Sequence, residues 1–438
     1  MTHNMMRRRT ALTLSLGFLA SCTHPQPKIV GTQIPVLPVA DGMDVAVDAP
    51  AVRVPPADAL ASWPQSLVNA AHAPGNIAGP TGLVRHWSAS VGESGGYRQP
   101  LQASPLIAGG FVFTMDAAGA VSAFAVSDGS RAWRTTTQPK HASEQNIGGG
   151  IAYDSGTVYA STGYGELLAL SAANGKILWR QVLDFPARTA PLVAGGLVAL
   201  VVQNDLLLTF DATSGTPGWR FTGTPVANTN AFVAITGAPA YADGIVVAGF
   251  STGTLAALDA NSGAPLWEQN LASSYGAASP LDFSDIVAAP VIANGVVYAI
   301  GLGNTAMAVD LHSGATVWTH SAAGTQPFYV AGEFVYVLDK SQMLYAVHAD
   351  DGLVSWSLQL PLFHNPKKKK DPIQWVGPVL VDGTLLVTND WGQIAQVDPV
   401  TGQIKSCAKL SGPADLPPIA ADGLLLQLTR DATLTAYA

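Results

Sequence analysis

Cysteine is nearly absent: Cys22 and Cys407 are the only two in 438 residues. Two cysteines cannot make a disulfide framework, so a packed core must hold the fold. Charge is scarce too, at 12% of residues, and it leans acidic, with a formal net charge of −8. Nucleic-acid binders usually carry a basic footprint, and this balance argues against one. After residue 30 no apolar run approaches the roughly 18 residues that a spanning helix needs. The nine histidines are scattered, without His-x-His or His-x-x-x-His spacing, and no acids fall at calcium-loop spacing. Gly148-Gly149-Gly150 precedes no helical pattern and so is no phosphate loop. No nucleophile–base pair emerges. No metal or cofactor is therefore expected from these residues.

What the chain has in quantity is breakers, 44 Gly and 30 Pro, beside 48% apolar residues. Long helices do not tolerate that mixture, whereas short strands joined by tight turns use it. Within it one figure repeats. Asp259, Gly263 and Trp267 are spaced four and four, as are Asp211/Gly215/Trp219 and Asp310/Gly314/Trp318. Weaker copies stand at Ala125/Gly129/Trp133, Ser171/Gly175/Trp179, His348/Gly352/Trp356 and Asp398/Gly402/Ser406. Asp and Ser fold back on backbone N–H groups to open a turn, and Gly supplies a positive φ. Trp, on the outgoing strand, can cover the seam to the next unit while its N–H finds a partner. One copy would be an ordinary hairpin turn. Seven phased copies, with a period in the forties, are the mark of a propeller.

Each unit opens with an apolar strand near Pro that ends in Gly, as in Ala289-Pro290-Val291-Ile292-Ala293-Asn294-Gly295. Three further strands follow, which makes a four-stranded blade. The last unit, from Pro417 to Tyr437, has three strands and no Trp strand. Trp87 precedes Trp133 by 46 residues, in phase, without an Asp-x-x-x-Gly before it. The reading is an all-β, eight-bladed β-propeller over residues 62–438, its ring closed by the Trp87 strand joining the C-terminal strands, which removes exposed edges. Cys407, beside the missing Trp, is expected to be a small buried apolar residue.

The N-terminus is an address. Arg7-Arg8-Arg9, a short apolar stretch to Phe18, and Leu19-Ala20-Ser21-Cys22 describe a secretory signal over residues 1–21 that ends in a bacterial lipobox. Cys22 is the expected lipidation site, and multiple acyl chains hold a protein firmly at a bilayer. Thr23, in place of Asp, favours the outer over the inner membrane, by resemblance to sorted lipoproteins of Gram-negative bacteria. Residues 22–61, rich in Pro, Ala and Val, read as a spacer between lipid and domain. A sharper alternative lays Gln33 to Val39 along the propeller's flank. Lys367 to Lys370 form a basic run in a long loop, either a solvated insertion or a contact for an acidic partner or anionic lipid headgroups.

From Ser62 to Ala438 the repeats resemble the pyrroloquinoline-quinone-like β-propeller family. Together with the lipobox and the Pro-rich spacer, they look like its lipoprotein B subunits of the outer-membrane β-barrel assembly machinery. The stretch Leu281-Asp282-Phe283-Ser284-Asp285-Ile286-Val287-Ala288-Ala289-Pro290 is similar to those subunits' Ser-Asp-x-Asp-x-x-Pro loop. The resemblance implies a non-enzymatic scaffold, lipid-anchored at the periplasmic face of the outer membrane. Its partners would be the periplasmic domains of the barrel insertase and nascent outer-membrane β-barrel proteins. In the family, acids of that loop and a Leu-x-Leu-Arg stretch one blade earlier make the insertase contact. Asp285 matches the first acid, Val287 occupies the place of the second, and Ala231, Val233 and Ala234 occupy the Leu-x-Leu-Arg places. The place of the face is kept while its chemistry has changed. A solvated acid that satisfies a turn is the plainer reading of Asp285. Quinoprotein dehydrogenases share the propeller, but by resemblance they need a quinone pocket, a calcium site, a catalytic Asp and often a Cys-Cys pair. This chain has no Cys-Cys. A propeller that binds a small ligand in its central funnel is a third reading.

Overall fold

The computed structural model describes residues 42–96, 99–140, 146–187, 189–223, 237–272 and 285–438. Among them are eight four-stranded antiparallel sheets, one two-stranded hairpin and no helix. The sheets are the blades of an eight-bladed β-propeller. Blade 1 comprises Leu106–Ala108, Phe111–Met115, Val121–Ala125 and Arg131–Thr135. Blades 2 to 7 follow in chain order, with innermost strands starting at Gly149, Leu192, Ala240, Val291, Tyr329 and Trp375. Blade 8 combines Ile419–Ala421, Leu424–Leu428 and Thr433–Tyr437 with Arg85–Ser90 from the front of the chain, and Trp87 lies opposite Ala436. The expected closure is thus observed. The middle strands are buried on both faces, as in Leu424–Leu428, which is why their apolar runs are continuous rather than alternating.

The repeated turn works as its residue types require. In every copy the Gly N–H donates to the carbonyl of the residue four before it, at 2.8 to 3.0 Å. Asp259 Oδ1 also accepts from the amide and hydroxyl of Ser262, at 2.8 and 2.7 Å. Those bonds hold the Asp259 carboxyl below its usual range. Gly263 needs its positive φ of 71°, yet space constrains it as much. A Cβ there would sit 2.5 Å from the Trp219 ring of the preceding blade. The rule holds around the ring: Trp87, Trp133, Trp179, Trp219, Trp267, Trp318 and Trp356 each lie flat on the bare Gly of the next blade's turn. Each indole N–H donates to the carbonyl three residues before that Gly, at 2.7 to 3.1 Å.

Ser406 breaks the series for a reason. It faces blade 8, whose third and fourth strands come from opposite ends of the chain, so no turn and no Gly exist there to cover. Where blades 1, 2, 4, 5, 6 and 8 pair Trp with Ala, blade 7 pairs Ser406 with Gln396. Ser406 Oγ donates to Gln396 Oε1 at 2.9 Å, and the Gln396 amide donates to the Thr81 carbonyl at 2.6 Å. Cys407 corrects an expectation: it is exposed. One step past the Trp position, the outer strand turns its side chain to the other face. Arg134, Arg180, Arg220 and Glu268 occupy the same step in their blades. A maleimide should therefore label the folded protein at a site that Cys407→Ser removes. The reaction should run more slowly than with a free cysteine, because partial burial pushes the thiol pKa up.

The second correction concerns the spacer. From residue 42 onward the chain is not a free tether. Met43 and Val52 are buried, Ala46 N donates to the Val354 carbonyl at 2.9 Å, and the Ser355 hydroxyl donates to the Pro50 carbonyl at 2.8 Å. Apolar Val and Met have no reason to stay in water when a propeller flank is within reach. Gln33 to Val39 and Cys22 lie outside the described residues.

The stretch from Leu60 to Ile77 was legible only as scattered Trp, Gln and His, and it turns out to make one circuit of the hub. It meets the innermost strands in ring order. The Leu60 carbonyl accepts from Asp422 N at blade 8, and Trp63 exchanges two backbone bonds with Ile107 at blade 1. The Pro64 carbonyl accepts from Tyr153 N at blade 2, and the Gln65 side chain bonds both backbone groups of Val193 at blade 3. Ala70 and Ala71 accept from Tyr241 N and Ile292 N at blades 4 and 5. Gly75 accepts from the Tyr329 hydroxyl at blade 6, and Ile77 bonds both Leu380 and Asp382 at blade 7. The innermost strand of a blade is an edge with unpaired N–H and C=O groups, and this segment supplies their partners.

Candidate binding face

Strand direction alternates within a blade, so two kinds of connection share each face of the ring. One face carries the hairpins between first and second strands and the Gly–Trp turns. The opposite face carries the links between blades and the short loops between second and third strands. Of the candidate binding residues, Asp285 and Val287 belong to this second face.

A funnel of about 400 Å³ opens on it. Its wall is made largely of residues just before innermost strands, among them Gln102, Thr189, Ala238, Val287, Gln326 and Asp415, and Ser66 and Leu67 of the hub circuit line it as well. Among the described residues Asp415 is the one carboxylate of that lining. Arg430 already holds it, with Nε to Oδ2 at 2.7 Å. Among the described residues no three His, Cys, Asp or Glu side chains gather as a metal site would require.

The loops of this face are laced from blade to blade. Asp205 accepts from the amide and hydroxyl of Ser251 in the next blade, the former at 2.8 Å. Asp116, with a side chain wholly shielded from solvent, accepts from Arg134 at 2.6 Å and from the Glu93 amide at 3.0 Å. That cluster ties the exit of the closing strand to blade 1.

Asp285, expected in a solvated loop, is 1% exposed. Its carbonyl accepts from Leu302 N at 2.9 Å. Its neighbour Ile286 is fully buried and donates its N–H to the Phe250 carbonyl at 3.1 Å. The segment is thus stitched between the loops of blades 4 and 5. Gly249 leaves the room: a Cβ there would meet Ile286 at 2.5 Å. Val287 is half-buried at the funnel wall. Ala231, Val233 and Ala234 lie outside the described residues, so the structure brings only Asp285 and Val287 together. Burial of Asp285 could have been suspected from Ile286 and Val287 around it, because alternation in so apolar a stretch leaves little of it in water.

Each blade also keeps one open edge, its outermost strand at the rim. In Ile177–Val182 exposure alternates along the strand, and Leu178 and Val182 are 55% and 80% exposed.

Comparison with known proteins agrees with this architecture. A family profile described as "Outer membrane protein assembly factor BamB" matches residues 117–358. The outer membrane protein assembly factor BamB of Yersinia pestis is 28% identical over 362 residues, covering 80% of this chain and 88% of that protein. The crystal structure of BamB from Moraxella catarrhalis superposes with a TM-score of 0.62 at 18% identity, covering 80% of this chain and 97% of that one. A quinohemoprotein alcohol dehydrogenase from Comamonas testosteroni superposes with a TM-score of 0.66 at 14% identity, covering 86% and 80%. At such identities the structural likenesses show a shared fold and nothing about chemistry.

Proposed function

This chain belongs to the family of the outer membrane protein assembly factor BamB, and on that footing we propose that it is a non-enzymatic scaffold in the assembly of outer-membrane β-barrel proteins. The observation that carries the reading is the family match over residues 117–358. In this reading lipid on Cys22 holds the ring at the periplasmic face of the outer membrane. The rim around residues 285–287 docks the periplasmic domains of the barrel insertase. Asp285, buried in the loop, would serve the contact by keeping the loop in shape. Val287 lies on the contact side, and positions 231, 233 and 234 are further proposed contacts by the family resemblance alone. Nascent barrel strands would meet the open outer edges of the blades, where backbone pairing tolerates many sequences.

The enzyme alternative finds little support in the funnel. Among the described residues its single carboxylate is engaged by Arg430, and the remaining lining is small, amide or apolar. Those donors do not fit a quinone with a calcium ion.

Two measurements test the proposal. Cys22→Ser should move the protein from the membrane fraction to the soluble periplasmic fraction. The lipidated protein should bring down the insertase from detergent extracts, and Val287→Arg should cut that yield several-fold without changing the melting temperature. Undiminished co-purification with Val287→Arg would place the contact elsewhere. Failure of the wild-type protein to retain any insertase would defeat the reading itself.

A further inference from the structure

The link between blades 6 and 7 carries a feature that the scaffold reading does not use. Phe363–Asn365 and Lys370–Pro372 pair as a hairpin, with Phe363 opposite Pro372 and Asn365 opposite Lys370. The hairpin is a built element. Ile373 and Trp375 at its base are buried, and the Trp375 indole donates to the Pro361 carbonyl at 2.9 Å. At its tip Lys367, Lys368, Lys369 and Lys370 are all exposed. Along its side the His364 ring stacks on Trp391 at 4.3 Å and 8°, and the Trp391 N–H donates to the Pro372 carbonyl at 3.1 Å. Trp391 nevertheless stays 41% exposed, beside a 38% exposed Leu362.

Topology adds two more cations to this flank. Lys340 lies in the loop between the second and third strands of blade 6. Lys409 ends the outer strand of blade 7, opposite Gln393 at the base of the Trp391 loop. Both are exposed. Six of the chain's ten lysines therefore share one sector of one face of an acidic protein. Among the described residues none of the six is ion-paired; the salt-bridged lysine, Lys405 with Asp398, lies at the other face. The nearest acids of the sector are Asp339, beside Lys340 and accepting from the Met343 amide at 2.8 Å, Asp371, in the hairpin, and Asp390, whose carboxylate accepts from the Gln374 backbone amide at 2.9 Å.

We propose that this flank of blades 6 and 7 is a docking surface for an anionic phospholipid bilayer. The composition selects lipid over protein. Protein interfaces are depleted of Lys and use Arg for its planar, bidentate fork, and among the described residues no arginine joins this cluster. Clustered lysines are the usual reader of anionic headgroups, where each contributes independently of geometry. An exposed Trp and Leu beside them suit the headgroup boundary, where an indole keeps its N–H wet and its ring in the apolar layer. The inference does not rest on the assembly role.

The test uses the full chain in a background where Cys22→Ser removes lipidation and Arg7→Gln, Arg8→Gln and Arg9→Gln remove the basic charge of the signal, so that its remaining apolar stretch does not distinguish the two vesicle types. Co-sedimentation is measured with phosphatidylcholine vesicles, with and without phosphatidylglycerol. The chain with its four hairpin lysines should partition at least about tenfold more to the anionic vesicles, and added salt should erase the difference. Gln at all four positions should abolish that preference, and Arg at all four should keep it, with circular dichroism unchanged in both. Equal partition to the two vesicle types overturns the proposal. So does an undiminished preference in the Gln variant. If the Gln variant instead loses a co-purifying acidic protein while vesicle binding stays nil, the surface serves a protein and the lipid assignment is wrong.

Discussion

Replacing Gly314 by alanine should destabilise the propeller by about 3 kcal/mol, whereas Gly295→Ala should cost about 1 kcal/mol. Both glycines have positive φ, 68° and 75°, so the backbone term is common to the two. The difference is space. A Cβ at Gly295 meets nothing within 4 Å, while one at Gly314 would lie 2.6 Å from the Trp267 ring. The flat indole, locked by its N–H bond to the Leu311 carbonyl at 2.7 Å, has nowhere to retreat. Trp267→Ala alone should cost about 3 kcal/mol or more, as a large buried aromatic does. In that background Gly314→Ala should fall back to about 1 kcal/mol, because the obstruction has gone and only the backbone term remains. Urea unfolding of the four proteins reads out the cycle. Equal costs for Gly314→Ala and Gly295→Ala would mean that the Trp–Gly seam contributes no packing of its own.

Acidification should loosen the hub through a single histidine. His72 is 2% exposed, in a region lined by Trp63, Phe328, Tyr329 and Pro378 with no carboxylate among the lining residues. Its Nδ1 lies 2.8 Å from the Pro290 carbonyl, and since a carbonyl only accepts, Nδ1 carries a hydrogen. Burial penalises the cation and pushes the pKa from 6.5 down to about 4, partly offset by that bond. The sign follows from proton binding. Between about pH 6.5 and 4 the unfolded chain binds a proton at His72 and the folded one does not, so stability rises with pH across that window. The histidine carries no penalty above pH 6.5, and the loss accumulates to about 3 kcal/mol as the pH falls to 4. His72→Gln, which can still donate to Pro290, should be less stable at pH 7 for its poorer fit. It should also show a flatter pH dependence through that window. Parallel stability profiles for the two proteins would show that His72 takes up its proton in the folded state, contrary to its burial.

These two expectations draw on different depths of the sequence. The Asp259–Gly263–Trp267 spacing carries local turn chemistry, and repeating it seven times makes the turn, the seam and the blade count readable together. Even the exception at Ser406 is readable once the closing strand is assigned, because a blade joined from both chain ends has no turn to cover. Residues 231, 233, 234, 285 and 287 were placed by likeness to a family loop, and likeness fixes position along the chain without fixing exposure. Asp285 shows the difference. Its sequence context permits a solvated acid, and only the carbonyls of Phe250 and Asp285 itself, bonded across two blades, draw it inside. The exposure of Cys407 is already carried by the strand's alternation, with Arg134 and Glu268 at the same step.

Periodic, short-range chemistry was enough to determine the wheel. Turn residues, alternating or continuous apolar strands and their phase depend on neighbours a few positions apart, and eight copies average out the noise of each. The hub and the faces were decided in three dimensions. Leu60 to Ile77 has no repeat and no periodicity, because its partners are the edges of eight different sheets up to several hundred residues away. The gathering of Lys340, Lys367 to Lys370 and Lys409 is likewise a product of two adjacent blades meeting at one rim. A sequence records which residues recur, but which solitary residues become neighbours depends on how the ring closes.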